Sequence, residues 1–247
     1  MKDLFFKRKC LPFAAAILLS SAVYFAPNFA FAGKKVYSPY VSAGEVELEY
    51  KGEYKIDDDN SVDGAWEQTI GAGYGVSDFL FVEGAIEFED EPDKDVETKA
   101  LEFEAKFQLT EQGQYFLDAG ALVEYKYSLA GDADKIEGKA LLAKEIGPTS
   151  NYANFIIERE VGEDSSDREE YGLAWKTKYH YSKAFDPGFE YYADFGDTTE
   201  DYSGQTHRIG PTAYGDLGPF EYDAGVLFGI SRAAPDATLK LNLEYEF

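Results

Sequence analysis

A strict alternation of apolar and polar side chains is the feature that most limits what this chain can fold into. Over residues 45–56 and again over 238–247, every second residue is apolar or glycine and the residues between are polar, most of them charged. A period of two places consecutive side chains on opposite faces of a β-strand. A strand with one apolar and one ionic face suits an environment with lipid on one side and water on the other. The pattern therefore predicts membrane-spanning strands.

The same alternation recurs along the chain and divides it into about twelve strands. Long acidic connections at 57–63, 90–96 and 197–206 alternate with short turns such as 111–114, after which strand five is expected to begin at Tyr115. Long loops on one side and short turns on the other are typical of barrels in the bacterial outer membrane, and an even strand count places both termini in the periplasm. We therefore predict an all-β fold, a transmembrane antiparallel up-and-down β-barrel of about 12 strands.

Two predicted strands fit the pattern less well. In strand six, over residues 136–146, Leu141 and Lys144 break the alternation. In strand ten, over 207–215, Pro211 lacks a backbone donor, and proline is rare inside a sheet. A soluble all-β barrel or sandwich also alternates, but it would bury its apolar face and would have fewer Tyr and Trp at strand ends. Beyond the N-terminal region, no run of about 18 apolar residues occurs, so strands are expected to cross the membrane.

Two short segments resemble known outer-membrane proteins. Residues 245–247, Tyr-Glu-Phe, resemble the C-terminal signature of Gram-negative outer-membrane β-barrels, which ends in Phe. The resemblance implies an outer-membrane location and recognition by the outer-membrane assembly machinery. Residues 36–41, together with Gly44 and Glu45, are similar to the opening of an uncharacterised family of proteobacterial outer-membrane proteins. That family implies the fold and the location, but no substrate.

The beginning of the chain has the features of a secretory signal peptide. A basic stretch precedes an apolar run over 11–24, and small residues at positions 30 and 32 form a cleavage site. We predict a signal peptide at 1–32 and an outer-membrane β-barrel at 33–247. Cys10 is the only cysteine and precedes the apolar run, so neither a lipid anchor nor a disulfide is expected in the mature chain.

The charge of the chain excludes one class of partner. The sequence has 23 Lys and Arg against 47 Asp and Glu, for a formal net charge of −24 at pH 7. Binding to nucleic acid requires a basic surface, so no nucleic-acid partner is expected. Aromatic residues make up 16% of the chain, which argues against the disorder that such a charge could otherwise indicate.

The ionic faces of the strands form the candidate site. If the apolar faces meet lipid, the polar faces point into the lumen, and the predicted pore-lining residues are Glu47, Glu49, Lys51, Glu104, Lys106, Glu124, Lys126, Lys139, Glu158, Lys176, Lys178, His180, Glu190, Arg208, Asp223, Lys240 and Glu244. One interpretation is a channel for passive diffusion of small hydrophilic solutes that favours cations. The other is a non-conducting structural or adhesive barrel, closed by ion pairs, whose acidic loops bridge to lipopolysaccharide through divalent cations.

The sequence gives little support for catalysis, and we predict no enzyme, no cofactor and no dedicated metal site. A membrane phospholipase would need a Ser and His pair on the lipid-facing side, whereas His180 falls in the polar register. His207 lies near Asp201 and Ser203 in sequence, but a lone loop histidine is usually only solvated. The acidic stretch 57–63 is not an EF-hand, because Ile70 stands where the bidentate Glu is required.

Overall fold

The protein is a barrel of twelve β-strands. The computed structural model describes residues 34–162, 165–166, 168–197 and 201–247, so the predicted signal peptide at 1–32 lies outside the described residues. The strands are β1 Val46–Ile56, β2 Trp66–Ser77, β3 Leu80–Asp90, β4 Glu97–Gln108, β5 Asp118–Ser128, β6 Asp134–Ile146, β7 Thr149–Val161, β8 Glu169–Tyr179, β9 Asp186–Gly196, β10 Thr206–Leu217, β11 Phe220–Gly229 and β12 Ala237–Glu246.

Every strand pairs antiparallel with the strands before and after it in sequence, and the sheet closes on itself. The closing pair is β1 with β12, with Glu47 opposite Glu246 and Ile56 opposite Ala237. Closure leaves no strand edge with unpaired backbone groups, which is what a sheet in lipid requires. Among the described residues, no helix is long and apolar enough to cross a membrane. The predicted fold class is confirmed.

The two ends of the barrel differ in the length of their connections. At one end three of the five connections, at 78–79, 147–148 and 218–219, have two residues each, and the other two, at 109–117 and 180–185, have nine and six. All six connections at the other end have five to nine residues. We call these the short-turn end and the long-loop end, and they correspond to the periplasmic and extracellular sides of such barrels. The predicted start of strand five at Tyr115 is wrong, because β5 begins at Asp118 and the connection before it has nine residues.

The two irregular strands have separate physical explanations. Pro211 lies within β10 and faces outward, where its missing donor interrupts the pairing with β11 without ending the strand. In β6, Leu141 is in phase with the inward-facing Glu137 and Lys139, and it packs against Leu122 and Tyr37 in a small apolar cluster inside the lumen. The apolar side chain therefore belongs to the inner face and does not mark a register shift.

The two faces of the wall have opposite chemistry. The outer face exposes large apolar side chains, among them Leu48, Ile70, Phe103, Val123, Phe155 and Leu241. The inner face buries charged and polar side chains instead. A soluble barrel would have the reverse arrangement, since burial of apolar surface is what stabilises it in water. The outer face is therefore suited to lipid, as the alternation predicts.

Candidate functional site: an ionic lumen occupied by the N-terminal segment

The predicted pore-lining residues occupy three kinds of position. Eleven are buried on the inner face: Glu47, Glu49, Lys51, Glu104, Glu124, Lys139, Glu158, Glu190, Arg208, Asp223 and Lys240. Five are half-buried on the same face: Lys106, Lys126, Lys176, Lys178 and Glu244. His180 follows the last residue of β8, so it lies at the short-turn rim, and its side chain is 45% exposed.

Residues 34–45, which precede β1, run along the inside of the barrel. Lys34 lies beside Glu67, the second residue of β2, and Gly44 donates its backbone N–H to the carbonyl oxygen of Gly75 at 2.7 Å. Because Glu67 and Gly75 lie near opposite ends of β2, these residues extend over most of the length of that strand. We call residues 34–45 the N-terminal segment.

Lys35 places its ammonium among three carboxylates of the wall. Its Nζ is 2.6 Å from Glu49, 2.7 Å from Glu244 and 3.9 Å from Glu47. The three carboxylates offer oxygens that all lie within 4.8 Å of one another, an arrangement that could hold a metal ion. Here Lys35 of the N-terminal segment supplies a positive charge, and Lys51 of β1 adds a second one, 3.0 Å from Glu49.

Lys34 joins strands from both ends of the chain. Its Nζ lies 2.5 Å from Glu67 and 3.1 Å from Glu87, and it donates a hydrogen bond to Thr69 at 2.7 Å. The backbone carbonyl of Lys34 accepts a hydrogen bond from the side-chain amide of Asn242, in the last strand, at 3.0 Å. This one residue therefore contacts β2, β3 and β12.

Tyr37 has the most extensive contacts in the lumen. Its backbone N–H donates to the Asn154 side-chain oxygen at 2.7 Å, and the Asn154 amide donates back to the Tyr37 carbonyl at 2.9 Å. The phenolic hydroxyl donates to Glu104 at 2.8 Å and accepts from Lys51 at 3.2 Å, while Lys139 Nζ lies 4.6 Å from the ring centre. The amide of Asn154 thus replaces a strand partner and satisfies the backbone of a segment that has none.

The wall is shaped to accommodate the N-terminal segment. A Cβ added to Gly75 would lie 1.9 Å from the carbonyl oxygen of Ser42, and one added to Gly120 would lie 2.9 Å from Cβ of Pro39. Glycine is therefore required where the segment passes closest to the wall. Val36 is fully buried in an apolar cluster with Ala143, Tyr152, Ile156, Ala174, Tyr192 and Leu227.

A second ionic cluster lies on the side of the lumen formed by the last strands. Lys240 Nζ lies 2.5 Å from Glu190 and 2.8 Å from Asp223, and the side chains of Lys240 and Glu190 are fully buried. Arg208 pairs with Glu53 at 2.8 Å. Buried charges are tolerated only when they are paired and hydrogen-bonded, and these are. Paired charges and the N-terminal segment together fill the middle of the lumen.

The inner face of β8 is the exception to this pairing. Within the part of the chain that the structure describes, neither Lys176 nor Lys178 lies within 4 Å of a carboxylate oxygen. Lys176 Nζ instead lies 5.1 Å from the ring centre of Tyr152 and 5.5 Å from that of Tyr214. These two lysines therefore make one side of the short-turn half of the lumen less negative, although Glu190 lies opposite Lys176 in the pairing of β8 with β9.

Sequence reasoning missed the N-terminal segment as a part of the lumen. The segment contains no alternation, so a method based on strand periodicity treats it only as a leader to β1. Its signals are the adjacent lysines at 34–35 in a strongly acidic chain and the Tyr-Ser-Pro-Tyr stretch at 37–40. Those residues make the contacts described above.

Comparisons with known proteins identify relatives by fold and not by sequence. No protein-family model matches the chain, and no curated protein matches it. The NanC porin has a TM-score of 0.57 to this chain, with 9% sequence identity over 81% of this chain and 100% of the porin. An outer-membrane channel from Pseudomonas putida F1 also has a TM-score of 0.57, with 14% identity over 89% of this chain and 98% of that channel.

The chain has the fold of a Gram-negative outer-membrane β-barrel. At these low identities the likeness concerns the fold alone, and it agrees with the closed twelve-stranded sheet. Together with the apolar outer face, the fold supports the predicted location in the outer membrane.

Proposed function

We propose that the protein is an outer-membrane channel for passive diffusion of small hydrophilic solutes, and that it favours cations. The observation that carries this proposal is the composition of the inner face. Among the buried charged residues of the strands, thirteen are Asp or Glu and four are Lys or Arg. A confined wall with excess negative charge concentrates cations and repels anions. Both structurally similar proteins cited above are named as a porin or a channel.

We infer further that the N-terminal segment controls whether the channel conducts. When it is docked, Lys34 and Lys35 pair with five acids of the wall: Glu47, Glu49, Glu67, Glu87 and Glu244. Withdrawal of the segment would open the part of the lumen that it occupies and remove both positive charges at once, while the pairs within the wall, such as Lys240 with Glu190, would stay. The open state would then be wider and more negative than the docked state, so opening and cation preference are expected to increase together.

A planar-bilayer experiment with the refolded protein tests this proposal. Single-channel conductance and reversal potential under a KCl gradient are compared for the unaltered chain and for a double variant, Lys34→Gln with Lys35→Gln. The variant is expected to conduct more often and to prefer K⁺ over Cl⁻ more strongly, because the segment loses the ion pairs that hold it. The matched control, Lys94→Gln with Lys183→Gln, removes two exposed lysines from connections outside the lumen.

Two results would contradict the channel. If the double variant folds, as judged by heat-modifiable migration on gels, and still does not conduct, the lumen is closed by the wall itself. If it conducts but prefers anions, the argument from charge is wrong. The control pair is expected to leave both conductance and selectivity unchanged, because these lysines lie in the connections at the two ends.

The second candidate function is a non-conducting structural or adhesive barrel, which the dense pairing of lumenal charges favours. Its binding surface would be the acidic loop at 57–63, where Asp59 accepts hydrogen bonds from the backbone N–H of Ser61 at 2.9 Å and from its hydroxyl at 2.8 Å. These bonds lower the pKa of Asp59, so its carboxylate stays charged. Ca²⁺ or Mg²⁺ could bridge such carboxylates to lipopolysaccharide phosphates. Calcium-dependent binding to lipopolysaccharide without any conductance would favour this function.

We also propose that the C-terminus is recognised by the outer-membrane assembly machinery. In the folded barrel Phe247 donates its backbone N–H to the carbonyl oxygen of Val46 at 2.9 Å, so the final residue takes part in the closing pair of strands. Replacing Phe247 by Ala is expected to reduce insertion in cells while leaving refolding of the purified chain largely intact.

A further inference from the structure

Three side chains at the short-turn rim are arranged as in a serine hydrolase. Ser150 Oγ lies 2.5 Å from His180 Nε2, and His180 Nδ1 lies 3.0 Å from Asp186 Oδ2. The residues come from three consecutive strands, since Ser150 is the second residue of β7, His180 follows β8 and Asp186 begins β9. A nucleophile, a base and an acid that orients the base define such a centre by geometry and not by sequence position.

The base and the acid are both held in place. Asp186 Oδ1 accepts backbone N–H groups from Tyr181 at 2.8 Å and Ser182 at 3.2 Å, which leaves Oδ2 directed at the histidine. The backbone N–H of His180 donates to the carbonyl of Pro148 at 2.9 Å. Glu145 Oε2 lies 3.6 Å from His180 Nε2, beyond hydrogen-bond distance, so Asp186 is the carboxylate hydrogen-bonded to the ring. A carboxylate fixed on Nδ1 favours the tautomer in which Nε2 accepts the proton of the serine hydroxyl.

An apolar groove lies against the outer wall at the same corner of the barrel. Its volume is about 840 Å³, and Thr149, Tyr179, Phe185 and Pro187 contribute to its lining. Each of these residues is adjacent in sequence to a member of the Ser150, His180 and Asp186 set. The groove therefore lies on the lipid-facing side of these strands, whereas Ser150 and His180 are in the polar register. An acyl chain in the groove can bring its ester to them only around the rim, where the strands end.

We propose that Ser150, His180 and Asp186 form a hydrolytic centre for acyl esters of amphipathic lipids, with the acyl chain in the outer groove and the ester carbonyl at the rim. Ser150 Oγ attacks the carbonyl carbon while its proton passes to His180 Nε2. The ester C–O bond then breaks, the departing alcohol takes that proton, and an acyl-serine remains. Water, deprotonated by His180, attacks the acyl-serine, releases the fatty acid and restores the hydroxyl.

Lys178 supplies a positive charge beside the nucleophile. It is the direct Cα partner of Ser150 in the pairing of β7 with β8, and among the described residues no carboxylate lies within ion-pair distance of it. A cation there stabilises the oxyanion that forms on the attacked carbonyl. Ser150 itself is 2% exposed and His180 is open at the rim, so the ester enters past the histidine. This access route predicts slow acylation.

The test uses the full refolded barrel in detergent micelles. A fluorophosphonate probe is added, and labelled peptides are identified by mass spectrometry, while hydrolysis of p-nitrophenyl octanoate is followed in parallel. The unaltered chain is expected to be labelled at Ser150 and to hydrolyse the ester. Ser150→Ala is expected to abolish both, and His180→Gln to lower both by at least about 100-fold, the usual contribution of a general base.

Asp186 is a positioning residue, and its variant needs a separate readout. Asp186→Asn is expected to lower the labelling rate and to change its pH dependence, because the carboxylate that fixes the orientation and tautomer of the imidazole is replaced by an amide. Lys178→Gln is expected to slow hydrolysis without changing that pH dependence. The matched control is Ser166→Ala, an exposed serine at the long-loop end of the barrel.

Two outcomes would overturn the hydrolytic centre. One is absence of labelling and hydrolysis in the unaltered chain, which would make the three residues a structural clamp between strands. The other is labelling that persists in Ser150→Ala, which would assign the reaction to another nucleophile. Heat-modifiable migration and bilayer conductance are measured on every variant, so loss of the fold is separated from loss of the nucleophile. Failure of the channel proposal would leave the labelling result unaffected.

Discussion

On the outer face of β4, Phe103 is 54% exposed, whereas its neighbour Glu104 on the inner face is 7% exposed and contacts Tyr37 and Lys51. Phe103 needs only an apolar environment such as lipid, and any apolar side chain of similar size could replace it. The inner residue depends on particular partners, one of which lies outside the sheet. The outer face is therefore specified by composition, and the inner face by individual contacts.

The largest effect is expected where the inner face relies on the N-terminal segment. Lys35→Gln removes the cation shared by Glu47, Glu49 and Glu244 and leaves Lys51, 3.0 Å from Glu49, beside them. Breaking a buried ion pair costs about 3–5 kcal/mol. The lost interaction weakens docking of the segment and not the barrel itself. The free energy of opening that hydrogen exchange gives for the Tyr37 and Val41 backbone amides should therefore fall by the same amount. Both amides are hydrogen-bonded to side chains of the wall.

Lys35→Arg is the control for that experiment, because it keeps the charge within reach of the same carboxylates. Protection in this variant is expected to stay close to that of the unaltered chain. Equal protection in Lys35→Gln and in the unaltered chain would show that the segment is held by packing around Val36 and Tyr37 and not by charge.

The outer face is tested by placing a charge in it. Phe103→Arg should lower the free energy of unfolding in lipid vesicles by about 2–4 kcal/mol, the usual cost of an arginine near the bilayer midplane on the lipid face of such barrels. Lys106→Arg on the same strand faces inward and keeps its charge, so a change within about 0.5 kcal/mol is expected. Urea titrations of both variants give the comparison, and equal stability would mean that the two faces are wrongly assigned.

A smaller effect isolates one hydrogen bond of the inner face. Tyr37→Phe keeps the ring between Leu122 and Leu141 but removes the hydroxyl that donates to Glu104 and accepts from Lys51. A hydrogen bond to a charged group contributes about 1.5–3 kcal/mol, so protection of the segment amides should fall by about 2 kcal/mol. If protection of these amides fell as much in Tyr37→Phe as in Lys35→Gln, the ion pairs of Lys35 would not hold the segment more strongly than the hydrogen bonds of the Tyr37 hydroxyl.

The smallest effect on stability is expected at β8, where neither lumenal lysine has a carboxylate oxygen of the described residues within 4 Å, although Glu190 lies opposite Lys176 in the pairing of β8 with β9. Replacing Lys176 and Lys178 together by Gln should change the free energy of unfolding by no more than about 0.5 kcal/mol, since no ion pair is broken. The reversal potential should move toward stronger cation preference, because two positive charges leave the wall. The control is Lys183→Gln, in the exposed turn after β8, which should leave the reversal potential unchanged. A shift of the reversal potential toward anion preference in the double variant would reject the charge argument.

Most of the fold could be predicted from the sequence, because a strand between lipid and water needs an apolar side chain at every second position. Period two gives the strands and the inward direction of residues such as Glu49 and Glu158, and the alternation of connection lengths with an even strand count gives the antiparallel barrel. The apolar side chain of Leu141 on the inner face could not be explained, since its packing partner Tyr37 lies more than a hundred residues earlier in the chain. Local patterns describe each strand and its two faces, but not what lies in the space that twelve strands enclose.

The candidate sites were harder to predict for the same reason. Lys35 and Glu244 are far apart in sequence, and nothing local to either residue indicates that they meet. The set at Ser150, His180 and Asp186 requires the pairing of Ser150 with Lys178, which places His180 two residues further along the same face. That relation can be derived only after the register of β7 and β8 is known, and periodicity fixes the face of a strand without fixing its register.

The contacts of the N-terminal segment also constrain the order in which the barrel assembles. Lys34 and Lys35 contact β1, β2, β3 and β12, and Tyr37 contacts β4 and β7. No isolated hairpin contains that set of partners, so the segment completes its contacts only after β12 has paired with β1. The first described residues of the chain are therefore among the last to reach their final positions, and protection of the Tyr37 amide reports completed closure of the barrel.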